Sequence, residues 1–201
     1  MMGKDMKEII GIFAVILTFV GYVPYIRDTA KGTTKPHVYT WFIWGLVTAI
    51  AFGLQISANA GPGAFTTLAA AIVCFVIFGF GLRQGERDIT TADTVFLVLS
   101  LLALVLWLFA KQPVLSVILV STIDMLGFIP TIRKSWKKPH QETLISYQTN
   151  TLRFALAILA LNHYTLVTAL YPVTWVIANG LFSIYLIVRR KSVTNSDSWH
   201  G

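Results

Sequence analysis

Charge is scarce in this chain. Asp, Glu, Lys and Arg make up 12% of its residues, about half the share usual in a soluble globular domain. Acidic groups are the scarcer kind, 9 against 16 Lys and Arg, which leaves a net charge of +7. In a soluble protein that balance would raise nucleic acid as a partner. Here the basic residues fall in short clusters between apolar runs rather than in a stripe along one helix, so no nucleic-acid partner is expected. Cysteine is nearly absent. Cys74 stands alone inside an apolar run, which excludes an internal disulfide and a zinc site and predicts a small buried apolar residue. Metal-ligand clusters, nucleophile triads, P-loops and Gly-rich phosphate loops are lacking too. Neither an enzyme, a metal nor a cofactor is expected.

What fills the chain instead is apolar sequence, 55% of the residues, with a mean hydropathy of +0.68. One crossing of a bilayer takes roughly 20 apolar residues as a helix. Apolar runs bounded by charge, Gly or Pro give seven candidate spans: 9–26, 38–57, 63–82, 93–110, 114–132, 143–161 and 167–188. The apolar character is continuous rather than alternating, so helices are expected, not a β-barrel. The first run follows Lys4 and Lys7 but has no small-residue cleavage site after it and ends in Pro24 and Arg27. It reads as a membrane helix rather than a signal peptide.

The loops predict an orientation. Connections after spans 1, 3, 5 and 7 hold twelve Lys and Arg: 27, 31, 35, 83, 87, 133, 134, 137, 138, 189, 190 and 191. The opposite side holds three, Lys4, Lys7 and Lys111. The positive-inside rule then places the N-terminus outside and the C-terminus in the cytoplasm, in a multi-pass protein of the plasma (inner) membrane. Residues 192–201 read as a frayed cytoplasmic tail. His37 and His140 read as interfacial loop residues.

An internal repeat organises these spans. Gly21-Tyr22-Val23-Pro24-Tyr25-Ile26-Arg27 is echoed by Gly127-Phe128-Ile129-Pro130-Thr131-Ile132-Arg133 at a constant offset of 106. Lys35-Pro36-His37 is then echoed by Lys138-Pro139-His140 at an offset of 103. Each copy continues into two further spans, and the fourth span has no counterpart. The expected fold is an all-α integral membrane protein with seven transmembrane helices in a 3+1+3 arrangement. Residues 1–83 form the first triple, 84–112 the linker helix, 113–191 the second triple and 192–201 the tail. An odd linker makes the two triples parallel, one of the transporter plans. Each proline removes a helix hydrogen bond and each glycine three residues earlier permits close approach, so Gly21, Pro24, Gly127 and Pro130 are candidate hinge or gate residues.

This layout, with a proline near the cytoplasmic end of the first helix of each triple, resembles the SWEET/PQ-loop transporter superfamily over nearly the whole chain. The proline–glutamine pair of that family stands here as Pro24-Tyr25 and Pro130-Thr131, and Pro36 and Pro139 precede the second helix of each triple. The resemblance implies a pocket asparagine on the third helix of each triple. Asn179 fits in the second triple, whereas the aligned stretch of the first reads Val73-Cys74. A symmetric asparagine pair for a neutral sugar is therefore missing, which leaves room for a charged or zwitterionic solute.

Polar residues within the spans mark the candidate site. Asp124 and Arg153 each cost about 2.5–3.5 kcal/mol at the centre of a membrane helix. At about 1.5 Å per residue both lie roughly 13–17 Å from the same end, which suggests a pair on consecutive helices. By the repeat, Asp124 corresponds to Thr18 and Arg153 to Ile50, so these charges occur in one half only. Ser146, Asn150 and Arg153 share one helix face, as do Tyr171, Trp175 and Asn179, and Trp44 and Thr48. An aromatic wall with a few polar groups is what a small-molecule pocket offers. The candidate substrate-binding residues are thus Asp124, Asn150, Arg153, Trp175, Asn179, Trp44 and Thr48. The expected function is alternating-access transport of a small polar solute, such as a sugar, an amino acid or a vitamin-like compound. Proton coupling and self-association are left open. The alternative is a membrane receptor without flux; KDEL receptors are similar in their 3+1+3 plan. The expected partners are the lipid bilayer and the solute.

Overall fold

The computed structural model describes residues 3–31, 36, 38–84, 91–137, 139, 142 and 144–197. Among these residues seven α-helices follow one another: α1 (Lys4–Ala30), α2 (Val38–Ser57), α3 (Ala64–Gln84), α4 (Thr91–Leu108), α5 (Pro113–Lys137), α6 (Leu144–Leu159) and α7 (Leu166–Asp197). A 3-10 turn, Gly61–Gly63, leads into α3. No strand occurs among the described residues. Each expected span overlaps one helix. Four stretches are long and apolar enough to cross a membrane: Lys4–Arg27, Val38–Ser57, Gly61–Arg83 and Leu166–Ser192. Thr94–Leu108 and Pro113–Phe128 are shorter apolar stretches. On α1, Ile12, Phe13, Ile16, Val20 and Val23 are exposed, and on α4 so are Val95, Val98 and Leu101. Apolar faces of that extent suit lipid, not water. The chain is a multi-pass α-helical membrane protein.

Three details concern helix ends and prolines. Pro24 does not end α1, which runs six residues further, to Ala30. The seventh helix extends through 192–197, residues expected to fray. Pro172 lies inside α7, where it leaves the Thr168 carbonyl without its intrahelical donor. The Gln55 side chain of α2 supplies a substitute, its Nε2 donating to Thr168 O at 3.1 Å. His37, His140 and residues 198–201 lie outside the described residues, as does the side chain of Pro130 within α5.

The packing order is not the chain order. Helix α3 packs against both α1 and α2, and α7 packs against both α5 and α6. Across the bundle, α1 packs on α6 and α2 on α5. Helix α4 packs on α5 and α2. The apolar core lies where α2, α5 and α7 meet, around Val47, Leu54, Val117, Val120 and Ile123.

The end of the bundle where α1 begins is closed by backbone contacts. Helix α2 stops in a Schellman arrangement: Asn59 adopts a left-handed φ of 55°, and Ala60 N–H reaches back to Gln55 O at 2.9 Å. The chain then meets the end of α6, with Gly63 N–H donating to Ala160 O at 3.2 Å and Asn162 N–H to Ala60 O at 2.8 Å. Lys7 Nζ donates to Leu161 O at 2.7 Å, placing a cation where the helix dipole favours one. A Cβ on Gly63 would stand 2.2 Å from the Ala157 carbonyl oxygen, a backbone atom that cannot swing away. Gly63→Ala should therefore destabilise the fold by about 1–3 kcal/mol. Gly79, on α3, has nothing within 4 Å of such a Cβ, so Gly79→Ala should be neutral or gain up to about 1 kcal/mol. Thermal unfolding in detergent compares the two; equal midpoints would contradict this packing.

Candidate functional site: a cavity among six helices

A cavity of about 220 Å³ lies at the middle of the bundle. Helix α1 lines it with Gly21, Tyr22 and Tyr25, α2 with Trp44 and Thr48, and α3 with Ala70 and Cys74. Helix α5 adds Asp124 and Phe128, α6 adds Ser146, Tyr147, Asn150, Arg153 and Phe154, and α7 adds Tyr171, Trp175 and Asn179. No described side chain of α4 takes part. All seven residues predicted to bind substrate line this one cavity. The side-chain spacing on α6 and α7 explains why. Ser146, Asn150 and Arg153, like Tyr171, Trp175 and Asn179, recur every three or four residues and so share a helix face.

Asp124 sits at 2% exposure. Its Oδ2 accepts from Tyr171 OH at 2.7 Å and from Trp175 Nε1 at 3.3 Å. The Tyr171 hydroxyl has one proton and gives it to the carboxylate. Thr48 Oγ1, 3.1 Å away, therefore donates to Tyr171. A chain from α2 through α7 to α5 thus holds one carboxylate oxygen in place. The other oxygen, Oδ1, is buried with no partner among the described residues.

Arg153, at 3% exposure, is held on the opposite partners. Nη1 donates to Thr18 Oγ1 at 3.2 Å. Its guanidinium carbon lies 4.5 Å from the Phe154 ring centre and 5.4 Å from that of Tyr22, within cation–π range. Arg153 Nε is buried without a partner among the described residues. Asn179, at 1% exposure, donates from Nδ2 to Trp175 O at 2.8 Å, and its Oδ1 is likewise unpaired.

The pairing expected between Asp124 and Arg153 does not form. Both are buried and both face the cavity, but neither makes an ion pair among the described residues. The reason lies in the packing order. Consecutive helices α5 and α6 are not a packed pair; α6 lies against α1 and α7, and α5 against α2, α4 and α7. Equal depth along two helices does not bring their side chains together when other helices separate them. Thr18, which receives the Arg153 donor, is the position matched to Asp124 by the repeat.

Several wall residues escaped the sequence reading. Tyr22 and Tyr25 lie within the first copy of the repeated motif, which marked them as repeat residues and not as cavity walls. Phe154 stacks on Trp175 at 6.2 Å and 10° between planes and has no polar signal of its own. Cys74 is buried as expected, but on the cavity. Among the candidate hinge residues, Gly21 lines the cavity and faces Thr149 of α6, whose Cγ2 would be 3.2 Å from an added Cβ. Gly127 faces Trp44 of α2, with Nε1 at 3.0 Å. Pro24 is exposed.

Three unpaired buried polar atoms on one cavity are costly, about 1–3 kcal/mol each and more where charged. Fold and site together define a helical membrane protein with an internal cavity, largely apolar and aromatic in its walls, that carries a few buried polar groups. Comparisons with family models, with curated proteins and with solved structures give no match to this chain.

Proposed function

We propose that the chain is a secondary transporter or facilitator that moves a small polar solute through this cavity by alternating access. The observation that carries the reading is the set of buried, unpaired polar atoms of Asp124, Arg153 and Asn179 on one cavity among six helices. Seven further buried side-chain atoms among the described residues also lack a partner, but these three share one cavity, where a polar solute can meet them. The chain is two parallel three-helix repeats, 1–83 and 113–191, joined by a linker helix in 84–112, with seven crossings in all. Support comes from the packing, in which exchanging α1 with α5, α2 with α6 and α3 with α7 turns each helix pairing outside α4 into another that is also present. The kinship with SWEET/PQ-loop transporters belongs to the same proposal.

The repeated glycines suit a rocking contact, because each lies where the first helix of one triple meets the second helix of the other. Pro24 and Pro130 weaken the same helices a turn further on. The N-terminus lies outside and the C-terminus in the cytoplasm of the plasma (inner) membrane. In that orientation the backbone contacts of Gly63 and Asn162 close the outer side, and the cavity walls at Tyr25 and Ser146 reach toward the cytoplasm.

Two measurements bear on this. Alkaline phosphatase fused at Gly201 should be inactive and a fluorescent protein there bright; an active phosphatase fusion contradicts the orientation and the odd number of crossings together. Purified protein in proteoliposomes should give saturable solute uptake above protein-free vesicles. Saturable binding without flux would favour a receptor.

A further inference from the structure

We infer that the solute is a zwitterion of amino-acid size, carrying one cationic nitrogen and one carboxylate; the inference rests on the transport reading of the same cavity. The unpaired atoms are of two kinds. Asp124 Oδ1 and Asn179 Oδ1 can only accept hydrogen bonds, and Arg153 Nε can only donate. An ammonium group is donor only and matches the first two. A carboxylate is acceptor only and matches the third. Charge points the same way. Asp124 and Arg153 are the only Asp, Glu, Lys or Arg among the described lining residues, and their formal charges cancel. A solute of net charge would leave one buried charge uncompensated, and a neutral polyol would leave both so, at a cost of desolvation that the bonds do not repay.

The two charges are also kept from satisfying each other. Thr18, Tyr22 and Phe154 fix the guanidinium, and Tyr171 and Trp175 fix the carboxylate. Each is aimed before the solute arrives, so binding spends little on ordering them. Trp44 and Trp175 line the cavity with Asp124, and their ring faces suit a cationic nitrogen. The volume of about 220 Å³ holds several waters, hence a small solute and not a polymer.

The test uses the full chain in proteoliposomes and a panel of labelled solutes: the proteinogenic amino acids, glycine betaine and glucose. The best zwitterion is then compared with its N-acetyl and its carboxamide derivatives. The expected result is uptake of at least one zwitterion at ten times the protein-free rate or more. Blocking either end should cut that uptake at least a hundredfold, since each leaves a buried partner unmet. Uptake of betaine would show that the nitrogen is read by charge and ring faces, and its exclusion that the N–H groups are needed; both fit a zwitterion. Glucose uptake without zwitterion uptake overturns the inference and keeps the transporter. Calorimetric binding of a zwitterion without flux keeps the inference and overturns transport. Neither flux nor binding of any zwitterion overturns the inference.

Discussion

Asp124→Asn, Arg153→Gln and the double variant should all fold, and all should lose at least a hundredfold in flux. Had the two charges been ion-paired, removing one would strand the other at a cost of about 3–5 kcal/mol, and the double variant would recover it. They are instead held by separate partners, Asp124 by Tyr171 and Trp175, Arg153 by Thr18 and the rings of Tyr22 and Phe154. Their partners touch through rings, Phe154 on Tyr171 and Trp175, so the coupling in detergent stability should stay below the about 3–5 kcal/mol of a stranded ion-pair member. Flux should behave differently. A zwitterion bridging both charges needs both, so the double variant should be little worse than either single one. The measurement is one double-mutant cycle scored twice, by thermal unfolding and by uptake. A double variant that transports like the original chain would make these charges structural only.

Cys74→Trp should abolish uptake while leaving every charged and hydrogen-bonding group in place. Cys74 lies on α3, on the wall of the cavity. An indole there occupies much of a cavity of about 220 Å³ and denies the solute its place. Overpacking should lower stability by about 1–3 kcal/mol, so gel filtration of the variant must first show a folded species. Cys74→Ser keeps the volume and should keep the flux within about twofold, since serine adds no bulk to the wall. Retained uptake in a folded Cys74→Trp protein would mean that the solute passes elsewhere.

Much of this arrangement can be read along the chain because lipid imposes a simple rule. Continuous apolar runs must be helices to satisfy their backbone, and the seven expected spans each overlap one helix, four of them in stretches long and apolar enough to cross a membrane. The site residues on α6 and α7 are equally legible. Asn150, Arg153, Trp175 and Asn179 recur at helical spacing, and the polar ones among them cannot face lipid at acceptable cost. What a linear reading lacks is the order of helices around the bundle. Depth along a helix follows from residue count, but neighbours do not, and so Asp124 and Arg153 match in depth without touching. Tyr22, Tyr25 and Phe154 are aromatic, and aromatic residues suit core, lipid and cavity wall alike. Gln55 illustrates the same gap: its role at the Thr168 carbonyl depends on α2 lying beside α7 at Pro172.

The most direct test uses Cys74, the chain's single cysteine, as a reporter inside the proposed route. A membrane-impermeant methanethiosulfonate reagent is added to one side of oriented vesicles and then, in a separate sample, to the other. Alternating access predicts modification from both sides, and saturating transported solute should slow it from both. Full modification only after denaturation, or modification that the solute does not change, would contradict a solute pathway through this cavity.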